Sequence, residues 1–208
     1  MDIRIVGAAL AGACVAQAAS GAIVVTTNQL LWTSAVTGTG PSGLGLSVET
    51  ETFNAIADGF YTSPFGGSTP SVTWSAVAGG GLFVEGGVFS TNVPETLTFT
   101  FTPGVRAVAG NFFGTNLDFT NATVIFSVVL GDGTTYQGIT EDASAFTGFR
   151  TTSASETIGS LSLTVANFGG TGSVFPSVDN LYFGVVPAPA TAALLGVAGL
   201  VGFSMRRR

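Results

Sequence analysis

The segment Thr96-Leu-Thr-Phe-Thr-Phe101 alternates a small hydroxylated residue with an apolar one. Successive side chains of an extended chain point to opposite faces, so Leu97, Phe99 and Phe101 share one face and the threonines share the other. A helix would scatter the same residues around its circumference, and no single core could bury them. Ser160-Leu-Ser-Leu-Thr-Val165 repeats the device. Thr123-Val-Ile-Phe-Ser-Val-Val-Leu130 is more continuously apolar and predicts a strand covered on both faces. It runs into Gly131-Asp132-Gly133 and a second β-rich run, Thr134 to Gln137, which predicts a hairpin with Asp132 as a turn residue.

Further strands are expected over Ala22 to Thr27, Leu46 to Phe53, Val72 to Val77, Val105 to Phe113, Phe146 to Thr151 and Val178 to Phe183. Glycine-rich loops are expected at Gly66-Gly67, Gly79 to Gly81, Gly86-Gly87 and Gly169-Gly170, with longer ones over Gly38 to Gly45 and Tyr61 to Pro70. No part of this body carries a convincing 3.6-residue period. About ten short strands between turn signals predict an all-β fold, a single jelly-roll-like β-sandwich spanning residues 19–185.

The residue inventory excludes whole classes of chemistry. The chain has no histidine, its six cations are all arginine, and only Arg106 and Arg150 fall inside the body. Glu49, Glu51, Asp58, Glu85, Glu95, Asp118, Asp132, Glu141, Asp142, Glu156 and Asp179 leave that body at a net charge of about −9. Nucleic acid is excluded as a partner, because phosphate neutralisation needs clustered cations. Without histidine there is no Ser-His-Asp triad, Cys-His pair or common zinc site, and without lysine there is no Ser-Lys chemistry.

Carboxylates remain. Glu49 and Glu51 lie on one face of a strand about 7 Å apart, a spacing a glycan hydrolase can use. Glu141 and Asp142 form the other local pair. A structural calcium ion is the other use, since hard oxygen ligands suit it. Early and late strands of a jelly roll often pair, which would bring Glu49 or Glu51 near Asp179 and Asn180. No catalytic residue is assigned, and the chain reads as a non-enzyme with a structural or glycan-binding role, the glycan hydrolase being the alternative. For glycan binding, Trp and Tyr combine an apolar ring with a polar handle. Tyr61 and Trp74 lead the candidates because they flank the long loop, ahead of Trp32, Tyr136 and Tyr182. Phe99, Phe101, Phe112, Phe126 and Phe183 read as core.

The two ends carry addresses. Arg4, the apolar run Ile5 to Val15 and Ala16-Gln17-Ala18 form a secretory signal peptide over residues 1–18, which takes Cys14 with it. At the other end Val186-Pro187-Ala188-Pro189 precedes an apolar stretch from Ala190 to Met205 and then Arg206, Arg207 and Arg208. Those 16 apolar residues reach about 24 Å as a helix, short for a permanent membrane anchor. The basic end is expected in the cytoplasm.

This tail, residues 186–208, resembles the PEP-CTERM sorting signal of Gram-negative bacteria. The matching residues are Val186, Pro187, Pro189, Ala190 and Thr191, then the Ala/Leu/Gly helix with Leu194-Leu195-Gly196, then the arginines. Ala188 stands where that family usually has Glu. The resemblance implies handling by an exosortase-type membrane protease-transpeptidase, with a membrane-bound intermediate and then release or relocation to the cell surface or extracellular matrix. It also implies an association with extracellular polysaccharide. The body resembles the variable ectodomains that accompany this tail, on Thr98-Phe-Thr-Phe-Thr-Pro103, Gly110-Asn-Phe-Phe-Gly114, Phe146-Thr-Gly-Phe149, Ile158-Gly-Ser-Leu-Ser-Leu163 and Val178-Asp-Asn-Leu-Tyr-Phe-Gly184.

Overall fold

The computed structural model describes residues 23–187. The signal peptide, Ala188, Pro189, the apolar stretch and the three arginines lie outside the described residues, while Val186 and Pro187 are exposed at the end of the body.

Fifteen strands and one helix follow in the order β1 (Ile23–Thr26), α1 (Gln29–Thr37), β2 (Ser47–Glu51), β3 (Gly59–Tyr61), β4 (Phe65–Ser68), β5 (Thr73–Val77), β6 (Leu82–Glu85), β7 (Val88–Thr91) and β8 (Leu97–Phe101). They continue with β9 (Val105–Thr115), β10 (Asn121–Ala122), β11 (Val124–Leu130), β12 (Thr135–Thr140), β13 (Phe146–Thr151), β14 (Ser160–Asn167) and β15 (Phe175–Val185). A nine-stranded sheet runs β1-β13-β9-β15-β7-β6-β3, with β10 added on β9 and β2 on β15. A six-stranded sheet runs β12-β11-β14-β8-β5-β4. The two face each other across one core, so the expected β-sandwich is present. Leu97, Phe99 and Phe101 of β8 meet Phe89, Val108, Phe112 and Phe183 from the larger sheet there. The phenylalanines read as core are all buried.

Four expectations need correction. A helix does exist: Asn28 caps α1, its side-chain oxygen accepting from Leu31 N at 3.0 Å. Trp32 and Val36, four residues apart, are its fully buried contacts, while Leu30 and Leu31 point to solvent at 79% and 66% exposure and obscure the period. The helix lies on the outer face of the nine-stranded sheet, where Trp32 donates to Phe149 O at 3.3 Å and packs on Phe146. Gly148 makes room, since a Cβ there would sit 2.4 Å from Trp32 Cδ1.

The expected loop over Tyr61 to Pro70 contains β4, paired with β5, and β6 and β7 form a hairpin between and around the glycine runs. Glycines at 66 and 67 allow β4 to press against Trp74, as a Cβ at Gly67 would meet its ring at 2.7 Å. Lastly, β11 is covered on one face only. Ile125 and Val129 are 37% and 39% exposed, because β-branched residues also occupy its outward positions.

Candidate functional site

Trp74 offers nothing to a ligand. Its alternate position on β5 turns it inward, where it is 1% exposed and packed edge-on against Phe53 and Phe89, and its indole N–H donates to Glu51 Oε2 at 3.0 Å. Tyr61 is half-buried, packs on Phe65 with ring centroids 4.4 Å apart and spends its hydroxyl on Ala57 O. Trp32 is sealed beneath α1, and Tyr182 packs beside it. Tyr136 lies against Phe126 and Phe149.

The early and late strands do pair, Glu51 opposite Leu181 and Glu49 opposite Phe183. Paired residues share a face, so both glutamates follow Leu181 and Phe183 toward the opposing sheet. Glu49 accepts from the Thr69 hydroxyl and from Ser71 N at 2.9 Å, and Glu51 accepts from Phe53 N at 2.9 Å as well as from Trp74. Burial pushes the Glu49 carboxyl up, but the Thr69 and Ser71 hydrogen bonds outweigh it and hold the group below its ordinary value. A proton donor in glycoside hydrolysis needs the opposite shift. Asn180 instead donates to Asn111 Oδ1 at 3.1 Å, on the outer face. The four residues expected to share a calcium ion are therefore divided between the two sides of one sheet, and no cluster of three or more acids suited to a metal occurs among the described residues. Glu141 and Asp142 are likewise occupied, by the Thr123 hydroxyl and by Ser144.

A better site lies on the outer face of the nine-stranded sheet, built by phenylalanines that the sequence did not single out. Phe60 pairs with Phe83 across β3 and β6, their ring centroids 4.8 Å apart. Phe119 stacks on Phe83 at 4.7 Å and 21°. Phe60 and Phe119 are 73% and 49% exposed. Phe119 sits in the left-handed region at φ 59°, a strained conformation for a bulky residue. The loop holds it there: Asn116 N donates to Thr120 O at 2.9 Å, Phe119 N to Asn116 O at 3.1 Å, and the Asn116 amide to the Thr120 hydroxyl at 3.0 Å.

Beside this platform is a depression of about 250 Å³ lined by Phe83, Val88, Phe113 and Phe119, with Glu85, Ser90, Thr115 and Asn121 among its polar groups and Ala143 on one wall. Phe83, Ser90, Ser177 and Phe113 form one row across four strands. The hydroxyls beneath are tied together, Ser177 to Ser90 at 3.1 Å and to Thr115 at 3.0 Å, with Ser90 donating to Pro176 O at 3.0 Å. Such a network makes the floor rigid. The volume is below the roughly 300–1,000 Å³ that engulfs a drug-sized ligand, and suits part of a chain lying across the surface.

Two signals could have found this site. Phe119 lies in the turn-rich run Asn116-Leu-Asp-Phe-Thr120, and Phe60 and Phe83 alternate with core residues, out of phase with them.

No protein-family profile matches the sequence, and no curated protein matches it. Solved structures do. A mutant of a family 29 carbohydrate-binding module overlays at 10% identity and a TM-score of 0.35, covering 67% of this chain and 94% of that one. A second family 29 mutant, studied for ligand recognition, overlays at 9% identity and 0.33, covering 67% and 93%. The CBM22-1 xylan-binding domain from Paenibacillus barcinonensis overlays at 13% identity and 0.25, covering 69% and 97%. Likeness at this level leaves the ligand to be argued from the surface of this chain itself.

Proposed function

We propose that this chain is an exported, non-catalytic glycan-binding protein with a jelly-roll-like β-sandwich. In this reading it is sorted by an exosortase-type system through its PEP-CTERM-like tail to the cell surface or extracellular matrix. The observation that carries glycan binding is the exposed Phe119 stacked on half-buried Phe83 beside a depression with polar groups on its lining. A sugar ring has an apolar C–H face and a polar rim. An aromatic platform covers the first, and nearby carboxylate, amide and hydroxyl groups meet the second. Glu49 and Glu51, the strand-borne pair a hydrolase would use, are held by Phe53, Trp74, Thr69 and Ser71, which favours binding over hydrolysis.

The test is retention of the full-length chain in affinity gels cast with neutral and acidic polysaccharides. The native chain should be retarded by at least one neutral polysaccharide, and Phe83→Ala and Phe119→Ala should each abolish the retardation. Retention unchanged by both substitutions removes this surface as the site. Release of reducing sugar that disappears in Glu49→Gln or Glu51→Gln would replace the binding reading with the hydrolase. For sorting, intact masses from membrane and medium fractions should lack both residues 1–18 and the arginine end. A retained tail would make the protein a simple membrane-anchored one.

A further inference from the structure

The outer face does not end at the aromatic depression. β15 pairs with β7 at Ser177 and Val178, then with β2 from Leu181 onward, and its register against β9 shifts between Val178 and Leu181. Asp179 and Asn180 occupy that irregularity, at the notch between the end of β7 and the end of β2. A bulge re-aims side chains that regular pairing would line up. Asn180 Nδ2 donates to Asn111 Oδ1 at 3.1 Å, and Asn111 Nδ2 donates to Ser144 O at 2.9 Å. Ser144 follows Ala143, which walls the depression, and Asn111 stands two residues before Phe113, which lines it. Two residues along a strand is about 7 Å. The polar trio is thus the immediate continuation of the groove.

Resting on the glycan-binding reading above, we infer that Asp179 and Asn180, the latter braced from below by the buried Asn111, form a second, hydrogen-bonding subsite, and that the ligand is a linear, uncharged, hydroxyl-rich glycan of at least two units crossing the strands. The carboxylate can accept from one sugar hydroxyl while the Asn180 amide donates to another, which discriminates rings by their hydroxyl pattern. Asp179 is half-buried, and Asn180 offsets only part of the cost of burying its carboxylate, so a hydroxyl donor from a ligand relieves the rest. Uronate chains are disfavoured. Glu85 lines the depression, Asp179 lies at the notch, and no arginine lines the groove of a body that is about −9.

The experiment is calorimetric titration of the full-length chain with glucan, mannan, xylan and galactan oligomers of one to four units, and with oligogalacturonate. At least one neutral series should gain about tenfold in affinity between one unit and three. Asp179→Asn and Asn180→Ala should each remove most of that gain while leaving single-unit binding within about twofold, and Phe83→Ala should remove binding at every length. A gain that survives both polar substitutions, or tighter binding of oligogalacturonate, overturns the subsite while the groove stands. Failure of every neutral series overturns the groove and the subsite together. Melting curves of the two variants show that the fold is intact, and Asp179→Asn, being isosteric, keeps the test valid if Asn180→Ala unfolds.

Discussion

The two outward faces of this sandwich obey the same alternation and differ in what interrupts it. On the six-stranded sheet the outward positions are Thr73, Ser75 and Val77 of β5, Thr98 and Thr100 of β8, Ser160, Ser162, Thr164 and Ala166 of β14, Ile125, Ser127 and Val129 of β11, and Thr135, Gln137 and Ile139 of β12. None is charged, and their hydroxyls bond sideways, Thr98 to Ser162 at 2.9 Å. On the nine-stranded sheet the outward positions are broken by a helix laid over Gly148, a left-handed phenylalanine, and the register shift at Asp179–Asn180. Regular alternation makes a solvated wall, whereas each irregularity aims a side chain where pairing alone would not. The larger sheet is where a ligand can be held in one orientation.

The largest effect is expected where both faces share a support. Trp74→Ala should cost about 3–5 kcal/mol in denaturant unfolding, since it empties the core and strips a partner from Glu51. A loss under 1 kcal/mol would show that the ring is not the common buttress. Next comes the contrast in binding. Phe83→Ala should lower polysaccharide affinity at least tenfold, about 1.4 kcal/mol, while Ser162→Ala on the smaller sheet should leave it unchanged. Equal losses on both faces would erase the distinction.

Gly148→Ala should destabilise by about 1–3 kcal/mol, because the added methyl would sit 2.4 Å from Trp32 and force α1 off the larger sheet. Tryptophan fluorescence shifted to the red would report the exposure of Trp32. Ile139→Lys, at an outward position that is 59% exposed, should change stability by no more than about 0.5 kcal/mol in the same unfolding assay. A larger loss would mean the smaller sheet's wall is covered by something.

The smallest effects are in pH dependence and have opposite signs. Burial raises the Asp179 carboxyl, partly offset by Asn180, so its contribution is most favourable below the unfolded carboxylate value and is lost as pH rises through the folded one. Asp179→Asn should match or exceed the native melting temperature at neutral pH and lose that advantage as the medium is acidified. Glu49 is held below its ordinary value, so its stabilisation is present above the unfolded value and fades as pH falls through the folded one. Glu49→Gln should melt lower at neutral pH and converge on the native curve in acid. Parallel curves for both variants would contradict the opposite shifts of these two carboxyls.

Much of the sandwich was legible because its strands bury one face. Thr96 to Phe101 and Ser160 to Val165 each announce their inner and outer sides residue by residue, and β8 and β14 pair accordingly, Leu161 with Phe99 and Leu163 with Leu97. β4 was hidden because glycine, which disfavours strands locally, is required there by close approach, and β6 and β7 because each is only four residues long and set beside a glycine turn. At Gly67 the requirement comes from a tryptophan seven residues away. The helix was hidden because only Trp32 and Val36 mark its buried side. The site was hidden for a related reason. The chemistry of a phenylalanine does not tell core from surface, and what turns Phe119 outward is a loop closed by Asn116 and Thr120.

The sequence by itself determined the fold class, since period-two alternation between turn signals has few ways to bury an apolar face other than against another sheet. It also determined which chemistries are unavailable, because a chain without histidine or lysine cannot perform those that need them. Only the tertiary structure decided which aromatic rings meet solvent and which carboxylates already have partners. Those outcomes depend on which strand lies beside which. Glu51 and Asp179 are equally acidic in the sequence, yet one is bonded to Trp74 inside the sandwich and the other stands at a bulge on its outer face.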